Sequence, residues 1–454
     1  MHASPFAVDP CGIRSCFFSH GTTVKTRFGK LGASGQMRVK DCADKAAAQA
    51  ELESQVAKKV KEGYEEGGGG GASDDGDDGA ATGAGGPDAR NAELEAGIIA
   101  NPYDASAWMV LADWLQDQGD LRGELIALQT ANKTKPAKAL FDKHKAYFLG
   151  PLEEHQKCYD SYDLKSATDA FTWRSGYIFK VRLSHNHYAN EEFKGSLKEV
   201  LQMLLDHPSG RFITEMAFQD NNDPNDDDLQ DLIDLLAKKA PKTIRKLEFG
   251  DEVDQISWYN VGNLSKLWKA VPNLHTLQIE AGSFTLGKIE APNLKKAVFI
   301  TGGLGSAEGK SIATAQWPKI EHLEVYFGDE NYGGDCTIKQ VQPLLDRTDL
   351  TKLQYLGLKN SEFANDIARA LPKAKILKGL KKLDLSMGIM TDEGAEYLAA
   401  HKDAFKHLEE IDLSENYISD EGAKLLKGLC KKVTGLNAQK DDDDPEYRNV
   451  SVGE

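Results

Sequence analysis

From Ile178 onward, apolar residues recur as Leu-x-x-Leu-x-Leu, with starts at 178, 213, 244, 274, 294, 320, 353, 380 and 408. The spacings run 35, 31, 30, 20, 26, 33, 27 and 28 residues, and each hexad predicts a short strand on an inner wall. One such unit cannot bury its own apolar face, so nine are expected to stack into a single solenoid. Strand residues alternate faces, which sends positions i+2, i+4 and i+6 of each hexad outward from the inner sheet. The middle column reads Arg182, Ala217, Glu248, Gln278, Val298, Glu324, Gly357, Asp384 and Asp412, and its neighbours add Ile300, His322, Tyr326, Tyr355 and Lys359. The concave wall is therefore expected to carry an apolar-aromatic patch of Val298, Ile300, Tyr326 and Tyr355. Glu248, Glu324, Asp384 and Asp412 flank it as further contact candidates. Aromatic anchors ringed by charge suit a protein partner; the plainer alternative is solvated surface on a misphased repeat.

Upstream, residues 91–131 read as three short helices, with Leu111, Trp114 and Leu115 on one apolar face and Gly119 as a stop. Helices within residues 133–175 are expected to cap the solenoid. Residues 67–86, GGGGGASDDGDDGAATGAGG, hold ten glycines and four aspartates. With nothing to bury, they predict a flexible tether spanning roughly 25 Å root-mean-square. Before it, residues 22–30 alternate as a strand, 31–35 as a turn and 36–40 as a returning strand. A helix follows from an Asp44 cap, with Ala48, Leu52, Val56 and Val60 at four-residue spacing and Gly63 as its stop. The expected plan is a small α+β module over residues 1–66, a linker over 67–90 and a helical segment over 91–132. A cap over 133–175, an α/β solenoid with a parallel inner sheet over 176–437 and an acidic tail over 438–454 complete it.

Three stretches resemble known families. Val24-Lys-Thr-Arg-Phe-Gly-Lys-Leu-Gly-Ala-Ser-Gly-Gln36, with residues 40–64 ending in Lys-Lys-Val-Lys-Glu-Gly-Tyr, resembles the WGR domain of poly(ADP-ribose) polymerases and many bacterial regulators. The family's Trp-Gly-Arg is here Phe28-Gly29-Lys30, which keeps an aromatic and a cation but loses indole area and the bidentate guanidinium. Residues 11–19 match the family's usual first strand poorly. The resemblance implies contact with nucleic-acid backbone through Arg27, Phe28 and Lys30. Lys25, Arg38 and Lys40 complete an acid-free run of five cations. The alternative is a solvated hairpin with Phe28 packed on its own helix.

Ala112-Asp-Trp-Leu115 with Gly119-Asp-Leu-Arg-Gly-Glu124 resembles the repeat-companion domain that precedes leucine-rich and other repeats in myxobacterial and planctomycete-type proteins. No chemistry attaches to that family, so Asp113, Arg122 and Glu124 are expected to form a structural polar network. Leu380-Lys-Lys-Leu-Asp-Leu-Ser and Leu408-Glu-Glu-Ile-Asp-Leu-Ser-Glu-Asn416 are each followed by Asp-Glu-Gly-Ala, after Thr391 and Ser419. They resemble the ribonuclease-inhibitor type of leucine-rich repeat, a horseshoe in which Thr391 or Ser419 caps a helix with an acidic first turn. The C-terminal half, through the final Glu446-Tyr-Arg-Asn-Val-Ser-Val-Gly-Glu, is similar to an uncharacterised bacterial leucine-rich family.

Charge changes the picture at one place. Lys plus Arg is 55 and Asp plus Glu 71, a net of −16, and phosphate binding needs clustered cations, so the whole chain is poorly suited to wrapping DNA. Divided at the tether, residues 1–64 carry ten cations against six acids, a net of +4, which leaves −20 on the remainder. Nucleic-acid binding is thus excluded for the solenoid and open for the small module. The six cysteines are scattered with no CxxC, which predicts reduced thiols and a cytoplasmic home. Apolar stretches such as 107–111 are too short to cross a bilayer, and the first residues lack a basic start with an apolar core, so neither membrane span nor signal peptide is expected.

Other signals fit blander accounts. FITGGLGSAEGKS at 299–311 places Leu304 where a phosphate loop needs its first glycine. His185-Asn-His187 falls at the repeat's asparagine position. Residues 219–231 have Pro224 and no glycine where a calcium loop turns, and Asp441–Asp444 reads as a solvated charge run. No Ser/His/Asp or Cys/His set has interpretable spacing, so no enzyme, metal site or cofactor is expected. Two readings stand: an interaction protein whose solenoid grips a protein partner, and a regulator that contacts nucleic acid through the small module.

Overall fold

A computed structural model describes residues 3–8, 13–20, 22–30, 36–61, 65–66, 89–158, 168–184, 196–218, 228–250, 256–441 and 445–453. The tether at 67–86, His185–His187, most of 219–231 and Asp442–Asp444 lie outside them. The chain forms two compact units, Met1–Gly83 and Ala84–Glu454.

The first unit is a five-stranded sheet in the order Gln36–Asp41, Thr23–Lys30, Ile13–His20, Ala3–Val8, Glu65–Glu66. The helix Lys45–Lys61 begins at Asp44, whose carboxylate accepts the Ala47 N–H at 2.8 Å. Val24 and Ala48, each 1% exposed, join sheet to helix. The hairpin and helix follow the sequence pattern. Ile13–His20 does not, yet it pairs with Thr23–Lys30 along its whole length, from Ile13↔Lys30 to His20↔Thr23. Cys16, Phe17 and Phe18 interrupt polar–apolar alternation there, which hides the strand from a period-2 reading.

In the second unit, helices Ala92–Ala100, Ala105–Asp117 and Leu121–Thr130 start at Asn91, Asp104 and Asp120, each side chain accepting a first-turn N–H. Gly119 ends the middle helix at φ 74°. Gly123 sets the approach of the last two helices, because a Cβ there would lie 2.5 Å from the Ala112 carbonyl oxygen. Arg122 is 1% exposed. Its Nη2 donates to Ser209 Oγ at 2.8 Å, Nη1 lies 3.7 Å from Asp120, and the guanidinium sits 4.8 Å over the Tyr147 ring. Tyr147 in turn donates to Asp120 at 2.6 Å. Glu124, expected in this network, is exposed. Trp108, Tyr177 and Phe212 pack ring to ring at 4.8–5.7 Å, so the helical segment shares a core with the first repeats.

The cap is only partly helical. After helices Thr134–Lys143 and Lys145–Leu149, the strand Phe171–Arg174 pairs antiparallel with Tyr177–Leu183. Ser175 and Gly176 turn between them at φ 50° and 73°, the two-residue turn that positive φ at both centres permits. This hairpin covers the sheet's first edge.

The solenoid sheet has eleven strands, of which ten run parallel from Tyr177–Leu183 to Val433–Thr434. Val181, Met216, Leu247, Leu277, Ala297, Leu323, Leu356, Leu383 and Ile411 stack in one register row, none more than 1% exposed. Val433–Thr434 is a tenth parallel strand that lacks the hexad leucines. Ser419 caps its helix through the Glu421 and Gly422 N–H groups. Thr391 holds the equivalent position without a side-chain cap, its hydroxyl instead accepting from Asn365 at 3.0 Å. Buried Asn416 donates to the Leu385 and Leu413 carbonyls and accepts the Met390 N–H at 3.0 Å, locking two repeats together.

Candidate functional site

The register places the middle column in one continuous row: Arg182, Ala217, Glu248, Gln278, Val298, Glu324, Gly357, Asp384 and Asp412 are successive partners. In His322–Gly328, Leu323, Val325 and Phe327 point into the core, while His322 and Glu324 stay part-exposed on the concave face.

Around Gly357 the wall closes into a network. Lys359 Nζ lies 3.2 Å from Glu324 and 3.3 Å from Asp384. Tyr355 donates to Asp384 at 2.7 Å, and His322 Nε2 is 3.3 Å from the other Glu324 oxygen. The His322 ring lies flat on Tyr355, and the Lys359 ammonium sits 4.9 Å from the Tyr326 ring centroid. Glu324, Lys359 and Asp384 side chains are only 16%, 13% and 11% exposed. Burial opposes ionisation of Glu324, but His322 and Lys359 outweigh it and hold the carboxyl down at about 2. Burial raises the Tyr355 phenol well above its usual range, with Asp384 and Glu324 adding to it. Lys359 stays charged, because the two carboxylates and Tyr326 overcome its desolvation.

This differs from an exposed aromatic patch ringed by free carboxylates. Val298 and Tyr326 are only 5% and 8% exposed, and Ile300 and Tyr355 are half-buried. Glu248 pairs with Lys246 at 2.6 Å, and Asp412 accepts from Ser414 at 2.8 Å. Glu410 takes both Lys382 and Lys432. Lysines thus pair with acids along the wall. The i+2 column carries Lys246 and Lys382, which the hexad's middle column does not single out.

In the small unit, backbone register pairs Lys25 with Val39, Arg27 with Met37, Phe28 with Gln36 and Thr26 with Arg38. The side chains of Lys25, Arg27, Phe28, Lys30 and Arg38 lie outside the described part. Lys40 is described: its ammonium pairs with Glu51 of the helix at 2.8 Å, which raises its pKa.

A cavity of about 840 Å³ lies between the helical segment and the cap, beside Phe141, Trp173 and Arg174. Its lysines are committed, Lys138 to Asp142 and Lys145 to Glu153. Among the described residues, no group of three or more His, Cys, Asp or Glu side chains is placed to hold a metal ion, and no helix is long and apolar enough to cross a membrane.

Two protein families match parts of the chain. The WGR domain family matches residues 18–70, and the Leucine Rich repeat family matches residues 380–399 and 406–427. The chain thus carries a WGR domain near its N-terminus and leucine-rich repeats near its C-terminus. A crystal structure of a Bacteroides fragilis protein is similar at 22% identity, covering 99% of each chain, with a TM-score of 0.49. No curated protein matches.

Proposed function

We propose that this chain is a non-enzymatic bacterial adaptor of the cytoplasm, in which the leucine-rich solenoid binds a protein partner on its concave wall and the WGR domain rides on a tether. The observation that carries the reading is the Glu324–Lys359–Asp384 network with Tyr355, His322 and Tyr326. Its side chains already hold one another through ion pairs, hydrogen bonds and ring contacts, which lowers the side-chain entropy lost on binding. The alternation of Lys382, Lys359, Glu324 and Glu410 favours a partner of mixed charge over a uniformly basic one. Cys42, Cys336 and Cys430 are unpaired thiols, in keeping with a reducing compartment. Lys296 is exposed beside His322, its register partner on the next strand, and affinity capture with the full chain and with a Lys296→Glu, Ile300→Asp variant tests the reading. The variant should lose a protein that wild type retains, and an unchanged set of captured proteins contradicts it.

The WGR match at residues 18–70 favours a second reading, contact with nucleic-acid backbone through Arg27, Phe28 and Lys30. The full chain should then shift labelled DNA or RNA at 50 mM salt and lose this at roughly 200 mM. Changing those three residues together should abolish the shift. No shift at low salt rejects this reading and leaves the first intact.

A further inference from the structure

Residues 445–453 do not behave as a free acidic tail. They run back across the C-terminal ends of five successive repeat strands. The Asn449 N–H donates to the Tyr417 hydroxyl at 3.0 Å, and Lys440 Nζ donates to the Asn449 carbonyl at 2.6 Å. The Ser451 N–H donates to the Met387 carbonyl at 3.0 Å. Asn360 brackets Val452, its Oδ1 accepting the N–H at 2.8 Å and its Nδ2 donating to the carbonyl at 2.6 Å. Val450 is buried, and Gly453 lies against Gly302 and the Tyr332 ring.

Two features distinguish this contact from ordinary packing. Six polar contacts fall on the main chain of the strap, the Tyr417 hydroxyl also donating to the Asn449 carbonyl at 3.3 Å, and one buried aliphatic side chain sits among them. That is how extended peptides are recognised when sequence is read loosely. On the track, Asn360, which is fully buried, and Met387 sit at φ 53° and 69°, a region that asparagine tolerates and methionine seldom adopts. The strap follows the acidic run Asp441–Asp444 in the sequence.

We propose that the track from Tyr417 through Met387 and Asn360 to Gly302 is a peptide-binding site, held in cis by residues 449–453. Its ligand in trans is an extended segment of a protein partner with a small aliphatic residue at the Val450 position. The strap acts as a tethered competitor at an effective concentration on the order of millimolar, so an incoming peptide must displace it. This site is separate from the concave network and stands or falls apart from it.

The test uses full-length chains and a fluorescent peptide, PEYRNVSVG, copied from residues 445–453. Val452→Pro removes the N–H that Asn360 accepts and releases the strap. It should bind the peptide about 100-fold more tightly than wild type, with circular dichroism unchanged. Adding Asn360→Gly, which keeps the left-handed backbone, should cost at least about tenfold, and so should N-methylating the peptide at the Val452 position. Equal binding to wild type and Val452→Pro, or none to either, overturns the proposal. So does an N-methylated peptide that binds undiminished. A wild-type dimer that Val452→Pro abolishes would assign the track to strap exchange between copies and also overturn it.

Discussion

The imidazole of His322 lies flat on the ring of Tyr355, centroids 4.0 Å apart and planes within 5°. The two residues come from adjacent repeats and are register partners. Each also holds a carboxylate, Glu324 for His322 and Asp384 for Tyr355. Lys359 bridges those carboxylates, so five side chains from three repeats form one unit.

Removing the bridge should be costly. Lys359→Met keeps the length of the stem but leaves Glu324 and Asp384 part-buried without their shared cation. Urea unfolding should report a loss of about 2 kcal/mol. Lys382→Ala breaks a solvated pair with Glu410 and should leave the midpoint nearly unchanged.

Acid should weaken the same network. The Glu324 carboxyl is held down at about 2, against 4.5 for an unperturbed one. A depressed carboxylate pKa contributes stability that is fully present above the unfolded value and fades as pH falls toward the folded one. The loss should therefore fall between about pH 4.5 and 2 and amount to roughly 3 kcal/mol. Thermal melts across that range should be less steep in pH for Glu324→Gln than for wild type.

Gly123 should not tolerate a side chain. A Cβ would meet Ala112 O at 2.5 Å and Gln116 N at 2.7 Å, both backbone atoms. Gly123→Ala must push two helices apart and should destabilise the second unit by about 2 kcal/mol. Hydrogen exchange in Ala105–Asp117 and Leu121–Thr130 should rise together.

Much of this was legible from the chain. The hexad phase places every residue of the middle concave row, because a buried strand face fixes period and register together. Gly119 likewise marks the end of a helix, whereas the close approach at Gly123 shows only in the structure. Besides the strand Ile13–His20, three things in the second unit were not legible. The hairpin at Ser175-Gly176 hides behind flanking residues that read as helix. The pairing of Glu324, Asp384 and Glu410 with lysines depends on cross-strand neighbours roughly 30 residues apart, which no local pattern ranks. The strap is held mainly through main-chain atoms, so its side chains give little sign of it.

The central claim is that the concave wall holds a protein partner. A photo-crosslinking amino acid at position 300 of the full chain, on the wall, can be compared in cells with one at Leu425, which is 53% exposed on the helix Asp420–Leu426. The account predicts a discrete crosslinked protein from position 300 and none from position 425. The same products from both positions, or none from position 300, would contradict it.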